Sequence, residues 1–186
     1  MEVWDLVDSS RKPIGKLHTR GHEIAENEYH IVVEILTVNA DGRILLTQRD
    51  AAKTYPLLWE TTGGSIVAGE TSLEGTLREL QEETGLAAAE EELELLGEIK
   101  HGNYFLDSYI WKRRSPIQPE DLILQQGEVC DAKLVSLAEF EKMNQNGLVV
   151  SNIWDRFQLN RNRIMPYLAH ENSERRKIGI QKIEIS

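Results

Sequence analysis

Apolar and polar positions divide the chain into short segments with distinct periods. Val3-Trp4-Asp5-Leu6-Val7 precedes a polar stretch over residues 8–13, and Ile14 to Leu17 returns as the second arm of a hairpin. Residues 30–38 are rich in Ile and Val. Asn39-Ala40-Asp41-Gly42 then supplies turn chemistry, and residues 43–48 resume as a strand, so this pair predicts a second β-hairpin. A loop containing Pro56 and Trp59 leads to Gly63-Gly64. Residues 71–84 predict a helix: Thr71 and Glu74 form a capping box, and Leu73, Leu77 and Leu80 make one apolar stripe. Gly85 stands where a left-handed C-terminal cap is wanted.

Further strands are predicted over residues 93–99, 104–111 and 129–135. Ser136 and Glu139 repeat the capping box and open a second helix that closes near Asn146-Gly147; a third runs from about Asn152 towards Tyr167, with Pro166 disturbing its end. Strands and helices interleave without a steady βαβ rhythm, which favours a mixed sheet covered by helices. The length of 186 residues suits one domain over 1–170, with the N-terminal hairpin and C-terminal helices included and a polar, basic tail over 171–186. That tail, with alternating isoleucines at 178, 180, 183 and 185, reads equally as an added strand, a dimer arm or a disordered end.

Charge narrows the function. Acidic groups outnumber basic ones, 31 to 21, for a formal net charge of −10, which argues against a nucleic-acid-coating surface. A phosphorylated small molecule stays compatible, because carboxylates hold divalent cations and these hold phosphates. Cys130 is the only cysteine, so neither an intramolecular disulfide nor a Cys-based zinc site is expected, and it reads as a small buried residue. No basic leader and no long apolar run are present, so no membrane span is expected and the cytoplasm is the expected location.

On the first helix, Glu79, Glu82 and Glu83 stand at i, i+3 and i+4, which places three carboxylates within one turn. Clustered glutamates are usually just a solvated face, as Glu90-Glu91-Glu92 is expected to be. The surrounding frame separates the first group from the second. From Gly64 the chain runs five residues to Glu70 and seven more to Arg78-Glu79-Leu80-Gln81-Glu82-Glu83-Thr84-Gly85-Leu86.

This pattern resembles the Nudix box at every defining position. The resemblance implies an α/β fold, an α/β/α sandwich around a mixed β-sheet, and hydrolysis of a nucleoside diphosphate linked to another moiety. It implies Mg²⁺, with Mn²⁺ as a substitute, held by Glu79, Glu82 and Glu83, and Arg78 fixing one of them by a charge-assisted hydrogen bond. Gly63 and Gly64 would let the backbone turn tightly and approach the phosphates. Glu70 would serve as a ligand or a supporting group. Glu82 or Glu83 is the favoured general base, with Glu128 as the candidate outside the box. The expected partner is a small organic diphosphate, and a homodimer is a family-based expectation.

Trp4-Asp5, residues 20–30 and Leu58-Trp59 look like the isopentenyl-diphosphate isomerase branch of the same superfamily. Isomerases of that branch carry a cysteine and a metal-binding histidine in the loop after the tryptophan. Here that loop reads Glu60-Thr61-Thr62-Gly63-Gly64, with neither. Isomerisation is therefore the first alternative to hydrolysis, and a non-catalytic ligand-sensing domain the second. His30 reads as a structural histidine at a strand start. Arg49 faces substrate phosphate or an ordinary ion pair, and Trp154 with Phe157 reads as core packing.

Overall fold

The computed structural model describes residues 2–168; the tail over 171–186 lies outside them. β1 (Val3–Val7) and β2 (Pro13–Thr19) form the predicted N-terminal hairpin as a separate antiparallel pair. The main sheet has seven strands and is mixed. Its central strand is β3 (His30–Val38), which continues through the predicted turn to β4 (Ile44–Arg49).

The two strands of this second hairpin share only the Val38–Ile44 pairing. β3 instead pairs in parallel along its whole length with β8 (Tyr104–Lys112), and on its other side with β6 (Thr62–Ser65). A strand apolar on both faces does better in the middle of a sheet than in a two-stranded ribbon. β4 pairs with β5 (Trp59–Glu60) and β9 (Val129–Val135), and β7 (Leu93–His101) closes the far edge against β8. The loop read through Pro56 and Trp59 to Gly63-Gly64 thus contributes two short strands.

Each face of the sheet carries a core. Ile35, Leu45 and Tyr109 pack against Leu80 of helix α1 (Ser72–Thr84). Leu36, Val38 and Ile110 pack on the opposite face against Phe140 of α2 (Leu137–Gln145) and Phe157 of α3 (Ser151–Leu159). The alternation of β3 side chains sends odd and even positions to different helices, which makes the α/β/α sandwich. Trp154 and Phe157 stack at 5.4 Å beside Phe140, as core packing requires.

Three details differ from the sequence reading. The third helix is not continuous to Tyr167: α3 ends at Leu159, α4 (Arg161–Ile164) restarts after Asn160, and Met165–Tyr167 is a 3₁₀ turn. The Asn160 side chain donates to the Arg156 carbonyl, competing for a helical acceptor, and Pro166 has no amide hydrogen to give. Cys130 is exposed on β9, not buried. Gly63 and Gly64 lie in extended β6, not in a tight turn.

The hairpin is tethered to the sandwich by Arg11, whose guanidinium makes paired hydrogen bonds of 2.6 and 2.7 Å to buried Asp107. Asp107 also accepts from Ser72 at the start of α1. Among the described residues no helix is long and apolar enough to cross a membrane.

Candidate functional site

Local chemistry builds the helix that presents the site. The Thr71 hydroxyl accepts from the Glu74 amide, Glu74 reaches back to the Thr71 amide, and Gly85 ends α1 in the left-handed region at φ 74°. Of the leucine stripe only Leu80 is fully buried. The inward face is completed by Gly75, Thr76, Glu83 and Thr84. The three glutamates therefore do not share one solvent-facing side. Glu83 points inward at 3% exposure, Glu79 is mostly covered, and Glu82 keeps 45% of its side chain exposed.

Arg78 organises this cluster. One terminal nitrogen donates to Glu79 at 2.8 Å and Glu82 at 3.0 Å; Nε and the other terminal nitrogen bind Glu70 at 2.7 and 3.0 Å. The same guanidinium also holds the Ser65 carbonyl at 3.1 Å, which ties α1 to β6. Glu70 is thereby a supporting group for Arg78, and it also accepts from the Val67 amide at 2.9 Å.

The glutamates open onto a cleft of about 260 Å³ whose floor is β6 and whose far wall includes Arg49, Lys53 and Glu128. Trp4 and Arg20 of the N-terminal hairpin line it as well. The glycines of β6 are dictated by proximity. A Cβ on Gly64 would lie 2.5 Å from Glu79 Oε1, and one on Gly63 would lie 2.3 Å from the Val33 carbonyl. The identity of these residues is as expected, but the reason is close approach rather than a turn.

Electrostatics sets the glutamates apart. Burial, reinforced by the neighbouring Glu60 charge, pushes the Glu83 carboxyl up to about 8, against the pull of Lys53 and a Gly63 backbone hydrogen bond. Glu83 Oε2 has no hydrogen-bond partner among the described residues. Burial also raises Glu79, despite Arg78. At Glu70 burial works upward too, but the Arg78 and Val67 hydrogen bonds outweigh it and hold the carboxyl low.

All the donors around Glu79, Glu82 and Glu83 are carboxylate oxygens, and one is buried without a partner. That chemistry fits a hard divalent cation. Among the described residues no three acidic or histidine side chains already converge on one point, because Arg78 stands between Glu79 and Glu82.

The sequence-predicted residues meet here: Arg78, Glu79, Glu82, Glu83, Gly63, Gly64, Arg49 and Glu128 all border the cleft or support its wall. Arg49 is engaged with Glu60 at 2.7 and 2.8 Å, a partly buried pair rather than a free phosphate ligand. Glu128 is paired with Lys53. His30 is buried and stacked on Trp4 at 4.3 Å, as a structural histidine would be. Glu90, Glu91 and Glu92 are exposed. Lys53 and Glu60 went unnoticed in the sequence; no local pattern distinguishes them, because their influence on Glu83 comes from packing of segments distant in the chain.

A NUDIX domain profile matches residues 28–151, which leaves the N-terminal hairpin outside the matched region. An uncharacterized Nudix hydrolase of Listeria monocytogenes is 34% identical over 152 residues, covering 79% of this chain and 87% of that protein. Among solved structures, DR0079 from Deinococcus radiodurans matches with a TM-score of 0.67 at 18% identity, over 87% of this chain and 98% of that one. The NUDIX domain of Shewanella oneidensis NrtR, solved with ADP ribose, matches with a TM-score of 0.60 at 20% identity, over 79% of this chain and 94% of that one.

Proposed function

The chain belongs to the Nudix family, and on that premise we propose that it hydrolyses the diphosphate linkage of a nucleoside diphosphate joined to a second group, with Mg²⁺ or Mn²⁺ as cofactor. The observation that carries this reading is the buried Glu83 carboxylate, with one oxygen unpartnered beside Glu79 and the side-chain-free wall of Gly64. An oxygen left without a partner at that depth costs about 1–3 kcal/mol, more if charged, and a ligand removes the cost.

Glu79, Glu82 and Glu83 would hold the cation. When bound, it offsets the charge of the diphosphate and makes water a better nucleophile. Arg78 keeps Glu79 and Glu82 at fixed separation, and Glu70 fixes Arg78 in turn. Lys53 and Arg20 set positive charge along the cleft for the phosphate oxygens, while Arg49 is held by Glu60. Glu82 or Glu83 accepts the proton of the attacking water, with Glu128 across the cleft as the alternative acceptor.

The isomerase alternative finds no support at Cys130. Its thiol faces Gln48 and the Arg49 carbonyl and does not line the cleft.

The test is release of phosphate or monophosphate from a panel of organic diphosphates with Mg²⁺ and with EDTA. The panel holds ADP-ribose, dinucleotides, nucleoside triphosphates, coenzyme A and isopentenyl diphosphate. Cleavage abolished by EDTA is expected. Conversion of isopentenyl diphosphate to its isomer, with no hydrolysis of any member, would overturn the reading.

A further inference from the structure

A second cleft of about 310 Å³ opens on the other side of β6, and the two share Val32, Gly63 and Gly64 as a common wall. It lies over the face of the sheet that carries α3. Its apolar walls are Val32, Leu106 and Ile153, and Tyr104 and His30 add ring surfaces. Arg156 of α3 lies in it, and Asn152 stands exposed at its rim.

The polar group at the bottom is a buried network. Glu34 accepts from Ser108 at 2.6 Å and from Thr61 at 3.3 Å, and its Oε2 lies 2.9 Å from Arg156 Nε. That Nε is off the hydrogen-bonding direction and counts as unpartnered. Among the described residues the terminal nitrogens of Arg156 have no hydrogen-bond partner either. A guanidinium with 15% of its side chain exposed thus borders the cleft with its terminal nitrogens unused while Glu34 balances its charge.

Three kinds of occupant can be weighed against these walls. A hydrocarbon group would bury the fork against carbon and leave its donors unmet. An anionic group would meet the Glu34 and Glu60 carboxylates beside Arg156. A neutral planar ring with adjacent acceptors satisfies the fork and fills the apolar walls.

Resting on the hydrolase reading above, we propose that this second cleft is a nucleobase subsite. In it, Arg156 selects bases that present two adjacent hydrogen-bond acceptors. Guanine offers O6 and N7, and cytosine offers O2 and N3; adenine sets a donor beside its ring acceptor, and uracil separates its carbonyls by an N–H. The diphosphate leaves the ring across β6 and reaches the glutamates of α1.

The experiment compares kcat/KM for GDP-glucose, CDP-glucose, ADP-glucose and UDP-glucose, which differ only in the base, with geranyl diphosphate as the hydrocarbon control. The guanine or cytosine compound is expected to lead the adenine and uracil ones by roughly tenfold or more, the size of one bidentate contact. Asn152→Trp, at an exposed position that leaves the core untouched, is expected to fill the mouth and raise KM for the favoured compound at least tenfold. Arg156→Lys is expected to narrow the base preference. In parallel, binding of GMP, CMP and AMP in EDTA is measured by calorimetry for the unmodified protein and for Asn152→Trp.

Hydrolysis that ignores the base, or that treats geranyl diphosphate equally well, overturns the subsite and leaves the hydrolase reading standing. Failure to hydrolyse any compound, with GMP or CMP bound selectively and lost in Asn152→Trp, supports the subsite and removes the hydrolase. Binding without preference overturns the subsite whatever the hydrolysis shows.

Discussion

Glu83 and Glu34 are both buried carboxylates, at 3% and 8% exposure, yet their surroundings treat them in opposite ways. Glu34 has two hydroxyl donors and a guanidinium beside it. Glu83 keeps an oxygen with no partner and faces the charge of Glu60. Burial alone therefore does not mark a functional carboxylate. The difference lies in whether the protein itself completes the coordination: at Glu34 it does, and at Glu83 one oxygen stays without a partner, which is the opening the proposed cation would fill.

Mutation can break this contrast from either side. The largest effect is expected at Glu34→Ala, which strands the partly buried Arg156 without its counter-charge and should lower unfolding stability by about 3 kcal/mol in denaturant titration. Glu83→Gln should do the reverse: turnover with saturating Mg²⁺ falls at least roughly a hundredfold, while stability changes little because an amide replaces a carboxyl that burial already keeps from ionising. Near-normal kcat in Glu83→Gln would remove that residue from the mechanism.

The acid side offers the next test. Burial, with a small contribution from His18, depresses His30 to about 4 from 6.5. Between these values the unfolded chain binds the proton and the folded one does not, so stability falls as pH drops from about 6.5 towards 4. The loss is at most about 3.5 kcal/mol at roughly 1.4 kcal/mol per unit, and His30→Phe should flatten the slope in thermal melts across that window. A slope unchanged in His30→Phe would assign it to other groups.

Gly64→Ala should displace the Glu79 carboxylate, the flexible end of a side chain, and so spare the fold while costing roughly tenfold in kcat/KM. The smallest effect belongs to the cap. Thr71→Ala should cost about 1 kcal/mol of stability, read as a shift in melting temperature.

Much of the site was legible because it is contiguous. Residues from Gly64 to Leu86 hold a helix start, a helix stop and three glutamates within one turn, and each signal is decided by neighbours a few positions away. Capping boxes at Thr71 and Ser136 landed where the side-chain pattern put them. Less legible were features that depend on what packs alongside. Cys130 is exposed although cysteine usually is not. Gly63 and Gly64 are glycines because Val33 and Glu79 approach them, not because the chain turns.

The sequence by itself determined the helix that carries Arg78 and the glutamates, the strand-rich character of the remainder and the family to which both belong. Periodicity and capping act over one or two turns, so they are written in order along the chain. Only the tertiary structure decided that Glu83 faces inward beside Glu60, that Arg49 is spent on a partner, and that Glu34 and Arg156 meet across more than a hundred residues to floor a second cleft. Burial and charge pairing depend on distance in space, and strand order in the sheet sets those distances without any local trace in the chain.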